Sequence, residues 1–195
     1  MVTDQRLEKY KEVVSKRQKG LVVVLEDITD PHNAAAILRS CDAFGIQNVY
    51  FIFDQTESYD PKRVGRYASS YANKWLTYHV FYSTKECLEQ LRADRFSLVG
   101  AVLDEQATDF FETDFTDAKL ALLVGNEKLG LSKEALGMCD KRVYLPMQGF
   151  TESFNVSVAA ALFMYEITRQ RMESEEGFTL SKEKKQELLE KFLER

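Results

Sequence analysis

Asn33 and Arg39 stand six residues apart directly after the apolar run 21–25, in the stretch Pro31, His32, Asn33, Ala34, Ala35, Ala36, Ile37, Leu38, Arg39. A carboxamide and a guanidinium just past a strand-like run, on the opening turns of a helix, occupy the place where open α/β sheets bind ligands. Together they put a polar and a cationic group at a candidate binding site. A second candidate is the turn Gly125, Asn126, Glu127, Lys128, Leu129, Gly130, which carries one acid between two glycines. It is not a phosphate loop, because Leu131 and Ser132 stand where a P-loop needs Lys and Ser or Thr, and no G-x-G-x-x-G occurs. On its own such a glycine-bounded segment is most often an ordinary turn. A third is the loop from Leu145 to Val156, holding Ser153 and Asn155, which enters an alanine-rich helix that can be plain core.

Other chemistries find little support. Only His32 and His79 are present, neither at ligand spacing from a cysteine or from the other, so no metal site is expected. His32 reads as a helix-start residue beside Asp30. Cys41, Cys87 and Cys139 are an odd, scattered set without a C-x-x-C pair, which reads as reduced thiols used in packing.

The elements that must position these residues alternate. Strands are expected over 21–26, 48–53, 75–80, 96–103, 120–125 and 142–145, several of them continuously apolar as buried parallel strands are. Helices are expected over 6–19, 31–44 (capped by Asp30 and closed by Gly45), 84–93, 132–139 and 155–171. The pattern predicts an α/β fold with a mostly parallel sheet flanked by helices. Ser181 opens a last helix whose Leu188, Leu189, Phe192 and Leu193 form one apolar stripe in need of a partner, in the chain or on a second copy.

With 195 residues, 45% of them hydrophobic, the chain can bury one ordinary core. No stretch is apolar for the roughly 20 residues of a membrane span, and residues 1–20 lack the apolar core of a signal peptide, so a cytoplasmic protein is expected. The net charge of −5 is unevenly spread. Lys9, Lys16 and Arg17 lie in a basic opening helix, and Lys62, Arg63, Arg66 and Lys74 are interleaved with Tyr67, Tyr71 and Trp75. Cations among aromatics suit an RNA backbone and an unstacked base, although either segment alone also fits a solvated surface.

Three stretches, LVVVLEDITDPHNAAAILRSCDAFGI, LALLVGNEKLGLS and LPMQGFTESFNVSVAAALFMYEITRQR, resemble in order and spacing the motifs of the SpoU (TrmH) branch of the SPOUT RNA 2'-O-methyltransferases. The terminal helices further resemble the subgroup acting on the conserved D-loop guanosine of tRNA. Phe154 stands where leucine is usual, and Asn126 where small residues also occur. The resemblance implies a C-terminal deep trefoil knot, a homodimer, and S-adenosyl-L-methionine as cofactor. It implies a cofactor pocket of Ala101, Val124, Gly125, Asn126, Gly130, Val143, Leu145, Met147, Ser153 and Phe154. It also divides the chain into an RNA-contacting helix (1–19), a knotted methyltransferase domain (20–172) and a helical extension (173–195).

The family's polar set appears here as Asn33, Arg39, Glu127, Ser153 and Asn155. Arg39 is its candidate for activating the ribose hydroxyl. Arginine is protonated at neutral pH, so Arg39 acts either as an unusual base or by gripping the neighbouring phosphate and stabilising the alkoxide. Asn33 and Asn155 would orient Arg39 and the ribose, Glu127 would hold a cationic or hydroxyl donor, and Ser153 would shape the cofactor loop. Other readings stay open: methylation of another tRNA or rRNA nucleotide, an RNA-binding module without catalysis, or a small-molecule enzyme on an ordinary doubly wound sheet.

Overall fold

Val22, Val23 and Val24 favour extended backbone, and in the computed structural model, which describes residues 3–63, 72–104, 106–174 and 177–195, their run is the interior strand β1 (Leu21–Glu26), buried at every position. Pro31 opens α2 (Pro31–Ala43), whose N-cap Asp30 accepts a hydrogen bond from the His32 amide at 2.8 Å. There follow β2 (Asn48–Ile52), β3 (Thr77–Phe81), α3 (Thr84–Ala93), β4 (Ser97–Val102), the two-residue β5 (Thr108–Asp109), β6 (Leu120–Val124), α4 (Lys133–Met138), β7 (Lys141–Tyr144) and α5 (Val156–Glu173). The chain is flanked by α1 (Asp4–Ser15) and α6 (Lys182–Leu193). Among the described residues the sheet is seven-stranded and wholly parallel, in the order β3-β2-β1-β6-β4-β7-β5.

Because successive strand residues face opposite ways, β1 feeds two cores. Leu21, Val23 and Leu25 pack with Ile37 and Leu38 of α2 and Phe163 and Met164 of α5. Val22 and Val24 pack with Leu88 and Leu91 of α3 and Ala135 of α4. The order reverses at β1, where β2 and β3 lie to one side and the later strands to the other. The loops leaving β1 and β6 therefore meet at a topological switch point.

Several expectations need correction. The first helix ends at Ser15 rather than at 19, because the amides of residues 18 and 19 bond elsewhere: that of Gln18 donates to the Gly45 carbonyl at 2.9 Å and that of Lys19 to the Phe178 carbonyl at 2.7 Å. Arg17 is turned inward by the same departure and is 1% exposed, its Nη2 2.5 Å from Asp42 Oδ1. It is no RNA-contacting residue. Trp75 is not free to stack a base either, since its ring lies between Tyr10 and Phe192, each at 5.2 Å. The apolar stripe of α6 finds its partner within the chain, where Leu188 and Phe192 bury against Tyr10 and Val14 of α1. Arg66, Tyr67 and Tyr71 fall outside the described residues. No helix among the described residues is long and apolar enough to cross a membrane.

Candidate active site

β1 and β6 are hydrogen-bonded neighbours in register from Leu21↔Leu120 to Leu25↔Val124, so their exit loops run side by side. They are laced together. Asn126 Nδ2 donates to the Asp27 carbonyl at 2.8 Å. Glu127 Oε2 accepts from the Thr29 amide at 3.1 Å and its hydroxyl at 2.9 Å, while Oε1 accepts from the Asp30 amide at 3.0 Å and Asn33 Nδ2 at 3.1 Å. Asn33 Oδ1 in turn accepts from Asn155 Nδ2 at 3.0 Å. Asn155 is the N-cap of α5 and takes the Ser157 amide at 2.8 Å. One chain of hydrogen bonds thus joins the loop after β6, the first turn of α2 and the start of α5.

Four donors on one carboxylate decide its protonation state. Burial alone would raise the Glu127 pKa, but the bonds from Asn33, Asp30 and Thr29 outweigh it and leave the group below its ordinary value. Glu127 is therefore ionised and fully engaged, which suits a fastener rather than a base.

The loop itself is closed by Asn126, whose amide and carbonyl exchange bonds with those of Gly130 at 3.0 and 2.9 Å. Its Oδ1 accepts from the amides of Lys128 at 2.9 Å and Leu129 at 3.1 Å. Glycine is required at both ends. A Cβ on Gly125 would stand 2.3 Å from the Gly130 carbonyl carbon and the Leu131 nitrogen, and Gly130 has φ +69°.

Beside this loop lies a cavity of about 300 Å3. Of the residues expected at the cofactor, Ala101, Val124, Gly125, Asn126, Gly130, Leu145, Met147, Ser153 and Phe154 all line it, with Leu103, Asp104, Lys128, Leu129 and Arg142 among those added. Val143 is a correction: its side chain is wholly buried in the core between β4 and β5, and Arg142 reaches the cavity in its place. The lining suits a nucleoside with a charged tail. Apolar side chains can hold a purine, exposed backbone groups can read its edge, and Asp104, Lys128 and Arg142 offer both signs of charge.

Arg39 lies apart. It is exposed on α2 and does not line the cavity, and among the described residues no hydrogen bond or ion pair holds it. Neither Asn33 nor Asn155 orients it, because both are occupied with each other and with Glu127 or Ser157. Lys9 and Lys16 both pair with Glu12, at 3.0 and 2.6 Å, and the Lys16 bond with that of Lys9 lowers this carboxyl to a pKa of about 2. Lys62, Arg63 and Lys74 are exposed, Arg63 3.7 Å from Asp60 and Lys74 over the Trp75 ring at 5.0 Å. Glu26, which no motif singled out, proves to be a buried carboxylate at the end of β1.

A parallel α/β sheet with a nucleoside-sized cavity and a polar, laced rim at its switch point defines a class of ligand-binding α/β domain. Within that class the chain belongs to the SpoU rRNA Methylase family, whose model matches residues 20–165. It is 32% identical to the tRNA (guanosine(18)-2'-O)-methyltransferase of Aquifex aeolicus, over 98% of this chain and 90% of that protein. The fold superposes on the crystal structure of the A. aeolicus TrmH/SpoU tRNA modifying enzyme with a TM-score of 0.86 at 31% identity, covering 98% and 96% of the two chains. It is also similar to the SpoU methyltransferase AviRb from Streptomyces viridochromogenes in complex with the cofactor AdoMet, with a TM-score of 0.70 at 32% identity, over 84% and 65% of the chains.

Proposed function

We propose that this protein methylates the ribose 2'-hydroxyl of the D-loop guanosine of tRNA, using S-adenosyl-L-methionine. One observation carries the reading: Glu127, which lines the cavity beside β6, is bonded on to Asn33 and through it to Asn155, and relatives matching 98% and 88% of the chain are named tRNA (guanosine(18)-2'-O)-methyltransferases. The cofactor, when bound, supplies a methyl group made electrophilic by its sulfonium. What remains for the protein is to hold the ribose in line and offset the charge on its oxygen as the proton leaves.

Arg39 is the residue for that second task, as an exposed cation that no hydrogen bond or ion pair holds among the described residues. Its guanidinium can grip the adjoining phosphate with two donors and leave others for the alkoxide. Glu127, Asn33 and Asn155 fix the loop and helix starts between which the ribose lies, and Ser153 borders the cofactor. Since Arg39 does not line the cavity of its own chain, a homodimer, in which one copy's arginine serves the other's cofactor, fits this geometry. The exposed Val158, Leu162, Tyr165 and Met172 on one side of α5 supply an apolar face for such pairing.

Residues 141–155 are read as drawn into a deep trefoil knot. The strand order supports this, since β7 lies between β4 and β5, both of which precede it in the chain. Residues 1–19 and 173–195 serve as helical additions to the methyltransferase domain 20–172, with Lys9, Lys16, Lys62, Arg63 and Lys74 on the RNA side. A tRNA substrate fits a cytoplasmic protein. The test is incubation with radiolabelled cofactor and an unmodified tRNA transcript, followed by nuclease mapping. Label on the D-loop guanosine ribose, absent with Arg39→Ala, is the expected result. No label on tRNA from a protein that binds the cofactor would overturn it.

A further inference from the structure

Position 26 breaks the pattern of its own strand. Val22 and Val24, on the same face of β1, are buried in an apolar core, and the alternation calls for a third apolar residue. Instead Glu26 is there, 2% exposed. A carboxylate buried without a cation is costly unless donors surround it, and here they do. Oε1 accepts from the hydroxyls of Thr84 and Ser132, both at 2.7 Å, and Oε2 from the Ser132 amide at 2.9 Å. Ser132 is also the N-cap of α4, its Oγ accepting from the Ala135 amide at 3.0 Å.

Ser132 is the first residue beyond the loop 125–131, every member of which lines the cavity. That loop is held at one end by the β1–β6 ladder and, just beyond it, by the bond from Asn126 to Asp27 and those onto Glu127. Its far end is held at Ser132 by Glu26. Glu26 does not line the cavity itself.

We propose that Glu26 is a positioning residue that sets cofactor affinity by clamping Ser132, and with it the far end of the loop. The inference rests on the reading that the cavity takes S-adenosylmethionine. Glutamine can keep the clamp, because its oxygen takes the Ser132 amide while its NH2 donates to two hydroxyls that rotate to accept. Methionine fills the space and removes every bond, relieving a buried charge at the same time.

The experiment is calorimetric titration of S-adenosylhomocysteine into wild type, Glu26→Gln and Glu26→Met, with thermal unfolding and steady-state kinetics in parallel. Glu26→Gln is expected within about threefold of wild type. Glu26→Met should fold as stably as wild type yet bind roughly tenfold more weakly or worse. Its KM for the cofactor should rise while kcat and tRNA affinity stay within about threefold, a split that general loosening of the fold would not produce. Folded Glu26→Met binding like wild type overturns the inference. Should Glu26→Met fail to fold, Ser132→Ala decides: weaker binding supports the clamp, and unchanged binding overturns it. A wild-type protein that binds no adenosyl ligand overturns the cofactor reading instead, and this inference with it.

Discussion

Asn33 and Glu127 are bonded across the seam between two neighbouring parallel strands, carboxamide to carboxylate at 3.1 Å, although 94 positions separate them in the chain. This pair, with the Thr29 and Asp30 amides on the same carboxylate, fixes where helix α2 begins relative to the loop that borders the cavity.

The pair gives the site a pH signature. Glu127 lies below its ordinary pKa in the folded protein because four donors outweigh burial. A depressed carboxyl contributes stability that is complete above the unfolded value of 4.5 and fades as pH falls through the lower folded value. The stability gap between wild type and Glu127→Gln should therefore be constant near neutrality and narrow below about pH 4.5. Thermal unfolding of both proteins across pH 3 to 8 checks it.

Arg39→Ala should leave folding and cofactor binding intact, since no bond to the described residues is lost, while methyl transfer falls by roughly hundredfold or more. Arg39→Lys should recover little of it, because an ammonium cannot span phosphate and alkoxide as a fork does. Single-turnover rates with saturating tRNA make the comparison.

For Arg17 the expectation runs the other way. Its substitution by methionine strands Asp42 beside a buried apolar group and should cost about 3 kcal/mol of stability. The salt dependence of tRNA binding should not change, because a wholly buried cation neutralises no phosphate. Lys74→Ala should show the reverse, a shallower salt slope with unfolding unchanged.

If α5 pairs two copies, a charge on its exposed stripe will part them. Leu162→Glu should convert a dimer to monomers in light scattering and abolish transfer, while each monomer still binds S-adenosylhomocysteine. A variant that stays dimeric would move the interface elsewhere.

Local signals made much of the fold legible. The runs at 21–26 and 84–93 became β1 and α3 with the bounds expected, because valine-rich and amphipathic patterns act over a few residues. Asn33 on the first turn of α2, Glu127 in the loop after β6 and Asn155 at the start of α5 could also be placed in sequence, since each follows an expected strand. What joins them was not legible. Nothing in residues 1–20 distinguishes Arg17, which turns inward to an acid 25 positions away, from Lys16 beside it, which stays in solvent. The two-residue β5 is too short for any alternation to register, and Glu26 reads as the polar end of a strand until its partners at 84 and 132 are seen.

The bond from Asn126 to Asp27 spans 99 positions, and that distance governs how the molecule assembles. Neither half of the rim can take shape until β6 has closed a loop of most of a hundred residues onto β1, and such long closures slow folding. A truncated or partly refolded chain therefore holds no fraction of the site. On dilution from denaturant, affinity for the adenosyl ligand should return in the slow phase that restores the whole sheet, with no earlier recovery.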